Sequence, residues 1–158
     1  MNKKIEKKEN QTLVGIWKFT LEDILTGVKR VFEYRNLIPT AGREQICLAL
    51  EGGIASINEI KITHTSLGTG VTAPNNSDTQ LETETYRKSV ASATHASNVL
   101  YISAYYTAVE VSGAFKEAGI HINGTGAPNS GILFSRVAVD ITKAVTESLT
   151  VDYVVTLS

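Results

Sequence analysis

The strongest constraint on this chain is a two-residue alternation of apolar and other side chains that recurs along most of its length. Successive side chains of a β-strand point to opposite faces, so this alternation predicts strands with one face in a core. Residues 13–21 and 28–34 both show it, and Thr26 and Gly27 between them suit a hairpin turn. The other segments with strand character are residues 59–67, 86–93, 98–109, 115–122, 132–140 and 149–157. Together they predict about eight short strands.

One segment near residues 41–51 breaks this pattern and has helical character. Thr40 precedes it and is a residue type that caps helix N-termini, whereas Gly52 and Gly53 suit the C-terminal cap. Ile46 lies four residues before Leu50, which places both on one helix face. We therefore expect one short helix near the front of the chain.

Short strands without alternating helices predict a mainly β chain, built as an antiparallel β-sandwich of jelly-roll type. The chain has 158 residues, of which 42% are hydrophobic and 20% charged. That length and composition can support one hydrophobic core. We expect a single domain over residues 12–158.

The N-terminal residues 1–11 carry four lysines and no apolar stretch of the kind found in signal peptides. We expect synthesis in the cytoplasm and a flexible arm that either stays solvated or becomes ordered against a partner. Its candidate partner contacts are Lys3, Lys4, Lys7 and Lys8. The net charge of the chain is -1, so no basic excess indicates a nucleic-acid partner. No apolar run approaches the roughly 20 residues that span a bilayer, so no membrane partner is expected.

The glycine-rich stretch SLGTGVTAPNNSDTQLETE, residues 66–84, has some features of a phosphate-binding loop. Such a loop needs a lysine close behind its glycines, but none follows Gly70 until Lys88. Pro74 also removes a backbone donor that a phosphate would need. We interpret the stretch as a structural connection in which Gly68 and Gly70 adopt turn or extended conformations and contact no ligand.

Acidic residues in the same stretch are candidate metal ligands. Carboxylates suit calcium, but the alternating acids and central glycine of an EF-hand loop are missing. Asp78, Glu82 and Glu84 are therefore interpreted as a solvated acidic edge, which discourages unwanted strand pairing.

Catalytic residue types are few. His64, His95 and His121 lack the spacing of a metal-binding pair, and no G-x-S-x-G sequence marks a nucleophile. A Ser-His-Asp triad is independent of sequence order and stays open on sequence alone. Cys47 lies inside the predicted helix and is interpreted as a small core residue. We expect no catalytic residues, no metal and no cofactor.

The longest predicted strand, residues 98–109, has apolar or aromatic side chains on both faces, which is typical of a central strand in a packed sheet. Aromatic side chains on a sheet can bind sugars or single-stranded nucleic acid. Because no basic residues are interleaved with them, core packing or subunit contact is the preferred interpretation. Tyr101 and Tyr105 are the candidate partner contacts.

Several short motifs occur in order over residues 15–157: NLIPT at 36–40, SLGTG at 66–70, TAP at 72–74, Asp78-Thr79, Leu81, Glu84, Arg87, Phe115, EAGI at 117–120, Gly131, LFSR at 133–136, ITK at 141–143 and SLTV at 148–151. Their order and spacing resemble a pattern found in small structural proteins of tailed bacteriophages. His121 departs from that pattern, because an aromatic residue is common at its position.

The resemblance implies a non-enzymatic virion part, often a trimer, built as a β-sandwich. On that basis we expect a capsid-decorating accessory protein in the virion, assembled as a symmetric homo-oligomer with a trimer favoured. The implied partners are other virion proteins, namely major capsid or tail proteins. A small tail, baseplate or tail-fibre-associated protein near the receptor-binding end is the alternative. A carbohydrate-binding module that uses the tyrosines of residues 98–109 is a further alternative.

Overall fold

The structure, a computed structural model, describes residues 13–158. In chain order the elements are β1 (Leu13–Asp23), β2 (Lys29–Arg35), α1 (Thr40–Leu50), a short 3-10 helix (Ile57–Ile60), β3 (Ile62–Gly68), β4 (Glu84–Ser89), β5 (Ser92–Ala96), β6 (Val99–Tyr106), β7 (Gly113–Ile122), β8 (Ile132–Lys143) and β9 (Glu147–Leu157).

The strands form two antiparallel sheets around one core, which confirms the predicted mainly β sandwich. The five-stranded sheet has the order β2-β1-β9-β6-β5, and the four-stranded sheet has the order β4-β3-β7-β8. The predicted N-terminal hairpin is confirmed as the antiparallel pair β1–β2. Gly27 takes a φ of 70° in its turn, a left-handed conformation that favours glycine.

The core is built by the period-2 pattern that the sequence shows. On β1 the buried side chains of Trp17, Phe19 and Leu21 alternate with more exposed neighbours. The Trp17 ring stacks on Phe19 and packs at a tilt against Tyr153 of β9. Buried residues of the four-stranded sheet complete the same cluster, so the two sheets share one hydrophobic core.

The prediction of a single strand over residues 86–93 is wrong. The backbone amide of Val90 donates to Thr63 of β3, whereas the amide of Ala91 donates to Ser103 of β6. The chain therefore passes from one sheet to the other between these two residues. No glycine, proline or asparagine marks the crossing in the sequence, so nothing local signals the break.

The predicted helix is present, but two details differ. Thr40 is the first residue of α1, and Pro39 occupies the N-cap without a side-chain cap hydrogen bond. Cys47, predicted as a core residue, is exposed because the opposite side of α1 faces the sheet. Gly42 is buried at that contact, where an added Cβ would lie 2.7 Å from the Phe134 carbonyl oxygen. Gly52 takes a φ of 79° after the helix, as expected of a C-terminal cap.

The strand predicted to be central, residues 98–109, is an interior strand of its sheet, but only one of its faces is packed. β6 lies between β9 and β5, and its inward residues Ile102, Ala104 and Tyr106 are buried. Its outward tyrosines, Tyr101 and Tyr105, are 43% and 47% exposed. No element within residues 13–158 covers that outer face, so aromatic content on both faces did not mean burial on both.

The predicted arm, residues 1–11, lies outside the described residues together with Lys3, Lys4, Lys7 and Lys8. Among the described helices, none has the length and apolar character needed to cross a bilayer.

We expect Leu21→Ala to lower the free energy of unfolding by about 2–5 kcal/mol, because Leu21 is fully buried and the truncation leaves a cavity. Ile16→Ala on the outward face of the same strand is the matched control and should cost less than about 1 kcal/mol. Urea unfolding followed by the fluorescence of Trp17, the single tryptophan, measures both. Equal losses in the two variants would contradict the assigned faces of β1.

Candidate functional site

The most concentrated polar chemistry in the described chain surrounds Glu117 on β7. Glu117 is buried and points away from the core, since its strand neighbour Ala118 faces the core. Its Oε1 accepts hydrogen bonds from the backbone amides of Gly70 at 3.1 Å and Thr83 at 2.7 Å, and its Oε2 accepts one from Glu82 at 3.0 Å. Both ends of the loop formed by residues 69–83 are therefore attached to one carboxylate.

The positive partner of Glu117 is Arg136, on the neighbouring strand β8. The Nε and Nη2 atoms of Arg136 lie 3.1 Å and 2.9 Å from Glu117 Oε2. The rest of the guanidinium reaches the middle of the 69–83 loop, because Nη1 donates to Asp78 at 2.6 Å and Nη2 donates to the Thr72 carbonyl at 3.1 Å. This buried ion pair thus holds the loop at its ends and at its centre.

The glycines of the SLGTG motif are explained by this arrangement. A Cβ on Gly68 would lie 2.5 Å from the Thr83 carbonyl oxygen and 2.6 Å from Glu117 Oε1, and a Cβ on Gly70 would also collide with the Glu117 carboxylate. Neither glycine has a positive φ, so the requirement is space for close approach. The Gly70 amide does bind an anion, and that anion is the protein's own Glu117 carboxylate.

The acids interpreted as a solvated edge have separate structural partners. Asp78 pairs with Arg136, Glu82 accepts hydrogen bonds from the amide and hydroxyl of Thr72, and Glu84 forms a bidentate pair with Arg87. The Arg87 and Glu84 side chains are each only 2% exposed, so that interpretation is wrong for Glu84. No group of three or more metal-ligating side chains occurs within residues 13–158.

A serine and a histidine also meet in this region. Ser66 Oγ lies 2.7 Å from His121 Nε2, and both residues are buried. The Arg87 guanidinium lies 3.4 Å from both ring nitrogens of His121. Burial and this neighbouring cation lower the pKa of His121 to about 3, which keeps the ring neutral at physiological pH.

This Ser-His pair differs from a catalytic dyad in its third member. In a catalytic triad a carboxylate accepts from the histidine and stabilises its protonated form. Here a guanidinium occupies that side and opposes protonation, so the ring is a poor acceptor for the Ser66 proton. Ser66 is 0% exposed and His121 is 1% exposed. The pair therefore supports packing and hydrogen bonding between β3 and β7.

The other two histidines, His64 and His95, have different surroundings. His64 Nε2 lies 3.2 Å from the Ser89 hydroxyl across the β3–β4 pair. His95 lies on the exposed strand β5. His64 lies opposite His121 in the β3–β7 register, but no group of three metal-ligating side chains forms within residues 13–158, and Cys47 is exposed on α1.

Sequence reasoning missed the roles of Glu117, Arg136 and Arg87, and also that of Lys143. The Lys143 ammonium is buried and donates to the carbonyls of Ala108 at 3.0 Å and Val111 at 2.6 Å. The sequence did contain a signal for Arg136. It is the single charged residue in the otherwise apolar strand ILFSRVAV, residues 132–139, and such a charge is typically buried and paired.

The second feature with functional potential is the outer face of the five-stranded sheet. The residues that point outward from it include Val14, Ile16, Val31, Tyr101 and Tyr105, all of them exposed. Register places Ile16 and Tyr101 in one row across β1, β9 and β6, and the Thr20 and Tyr105 positions in another. Apolar and aromatic side chains thus lie together on the outer face of this sheet.

A polar row runs between those apolar rows. Lys18 of β1 pairs in register with Asp152 of β9, which in turn is opposite Ser103 of β6. The Ser103 hydroxyl donates to Asp152 at 2.7 Å. The two candidate tyrosines therefore flank a carboxylate and a hydroxyl on one surface. Of the predicted partner contacts, Tyr101 and Tyr105 lie together on a face that no other element of residues 13–158 covers.

Comparison with protein-family models, with curated proteins and with solved structures finds no match to this chain.

We expect Glu117→Gln to lower the free energy of unfolding by about 3–5 kcal/mol, because a neutral amide replaces the buried carboxylate that pairs with Arg136 and accepts three backbone amides. The isosteric amide keeps the volume, so the loss reports charge and hydrogen bonding. Asp140→Asn, at the exposed end of the Lys116 ion pair, is the matched control and should cost less than about 1 kcal/mol. Urea unfolding measures both; a Glu117→Gln cost as small as the control would contradict the anchoring role.

The depressed pKa of His121 predicts a pH effect on stability. The unfolded chain binds a proton near the ordinary histidine pKa of about 6.5, whereas the folded chain does so only near pH 3. Stability from this group is therefore complete above about pH 6.5 and is lost as the pH falls toward 3. Between about pH 7.5 and about pH 5 we expect the native chain to lose about 2 kcal/mol more than His121→Gln. Parallel losses in the two chains would contradict a buried neutral histidine.

Proposed function

We propose that this chain is a non-enzymatic structural component of a tailed-phage virion, and that it decorates the capsid as a symmetric oligomer. The observation that carries this proposal is the uncovered outer face of the five-stranded sheet, with Tyr101 and Tyr105 about half exposed beside Ile16 and Val31. The resemblance of the sequence motifs to those of small tailed-phage structural proteins is the reason for proposing a phage virion.

This face has the composition of a docking surface. Tyrosines bring a large contact area with few rotatable bonds, and they are frequent anchors at protein interfaces. The row formed by Lys18, Asp152 and Ser103 adds polar groups that can fix the register of a partner. Exposed apolar groups around such a row are typical of interaction surfaces.

In a symmetric oligomer, each copy can bind the particle through a weak contact. Several copies on one symmetry axis, with a trimer favoured, bind a symmetric lattice more tightly than a single copy does. A few copies per particle instead of many would favour the alternative, a small tail, baseplate or tail-fibre-associated protein. Quantitative mass spectrometry of purified particles separates these two placements.

A carbohydrate-binding module remains a second candidate because of one specific observation. Tyr101 and Tyr105 project from the same face four residues apart, which is about 13 Å along a strand, and Asp152 with Ser103 lies between them. Aromatic rings beside a carboxylate and a hydroxyl can stack on and hydrogen-bond to sugar rings. Specific glycan-array binding that is lost in Tyr101→Ala would favour this candidate.

We expect the double variant Tyr101→Ala, Tyr105→Ala to bind emptied capsids of the parent virus roughly 100-fold more weakly, because it removes the two aromatic anchors of the face. Its unfolding free energy should change by less than about 1 kcal/mol, since both side chains are exposed. Val71→Ala with Val109→Ala, two exposed loop positions, is the matched control. Binding of the tyrosine variant as tightly as the control would contradict the docking face.

A further inference from the structure

The free edge of β5 differs from the other sheet edges of the described chain. β5 pairs with β6 on one side and has no neighbouring strand on the other within residues 13–158. All five of its residues, Ser92–Ala96, are exposed, and none is a lysine, arginine, aspartate or glutamate. A sheet edge of this kind presents unpaired backbone donors and acceptors.

The other three edges are blocked. β2 and β4 bear charged side chains, which discourage the pairing of a further strand. The β8 edge is bridged by Leu37, whose amide and carbonyl pair with Arg136. Within residues 13–158, β5 is thus the edge strand that has neither charged side chains nor a bridging residue.

An apolar groove of about 680 Å³ lies beside this edge. One wall comes from the five-stranded sheet and includes Ala93 and His95 of β5, with Leu100 of β6. The opposite wall comes from α1 and the 3-10 helix, where Leu50 and Ile57 are 84% and 72% exposed. Among its lining residues, Lys61 is the one with a formal charge at neutral pH.

We propose that the β5 edge and this groove together bind an extended segment of another protein as a sixth strand of the five-stranded sheet. The backbone of the segment pairs with β5. Its inward side chains follow the direction of Ala93 and His95, so residues at alternate positions enter the groove. The fitting segment has large apolar residues at every second position over about five residues. An acidic residue beside them would complement Lys61.

A second copy of this chain fits the site less well. The strand that two-fold symmetry would offer is β5 itself, whose inward residues are a small alanine and a polar histidine. They leave most of an apolar groove of about 680 Å³ unfilled. This site lies at an edge and end of the sandwich, separate from the Tyr101 and Tyr105 face, and does not depend on the virion proposal.

The test begins with the full-length protein and a displayed library of random peptides of about twelve residues. We expect enrichment of sequences with apolar residues at alternate positions. The strongest peptide is then synthesised with N-methyl groups on alternate amides along one edge or along the other. One of the two N-methyl forms should bind roughly tenfold more weakly or worse, because it cannot pair with β5, and the other should retain binding. No alternating enrichment, or equal effects of the two forms, would overturn the proposal.

Protein variants locate the site. Ile57→Lys should weaken peptide binding roughly tenfold or more by placing a charge in the groove, and Leu50→Lys serves if the first variant is unstable. Val145→Lys, with 68% exposure on the turn between β8 and β9, is the matched control and should change binding less than about twofold. Equal binding by the groove and control variants would overturn the proposal.

Two other occupants are outcomes of the same experiment. Sedimentation tests for a dimer. If Ile57→Lys dissociates such a dimer and the peptide does not, the groove is assigned to a second copy. A chain without residues 2–11 that binds the peptide roughly tenfold more tightly would assign it to the N-terminal residues. Either result would overturn the proposal of a separate protein partner.

Discussion

The buried ion pair between Glu117 and Arg136 is the interaction on which the outer side of the four-stranded sheet depends. An isolated carboxylate or guanidinium at this position would be strongly destabilising, and each is tolerated because it is paired and hydrogen-bonded. The carboxylate also accepts hydrogen bonds from the backbone amides of Gly70, Glu82 and Thr83. This ion pair therefore holds the loop of residues 69–83 against the outer side of the sheet.

This arrangement gives a physical meaning to several short motifs of the sequence. Four separate motifs meet at one network, and they supply Gly68 with Gly70, Asp78, Glu117 and Arg136. In this chain the motifs therefore encode the attachment of a loop to a sheet. The surfaces proposed for partners lie elsewhere, on the outer face of the five-stranded sheet and at the β5 edge.

Much of the fold could be predicted because alternation identifies strands and separates their two faces. The β1–β2 hairpin and the α1 segment followed from their local patterns. Alternation carries no information on which sheet a strand joins, so the crossing at Val90 and Ala91 was missed. It also does not say whether anything covers a given face, so the exposure of the outer face of β6 was not predicted. Glu117 and Arg136 are 19 residues apart in sequence, and only the pairing of β7 with β8 reveals them as partners.

The central claim is that the Glu117 carboxylate holds both ends of the 69–83 loop in place. Native-state hydrogen exchange of the Gly70, Glu82 and Thr83 amides tests it most directly, because those three amides donate to that carboxylate. We expect all three to exchange within about tenfold of the slow amides in the central strand β7. Exchange at the rate of an unprotected peptide would show that the loop opens freely and would contradict the claim.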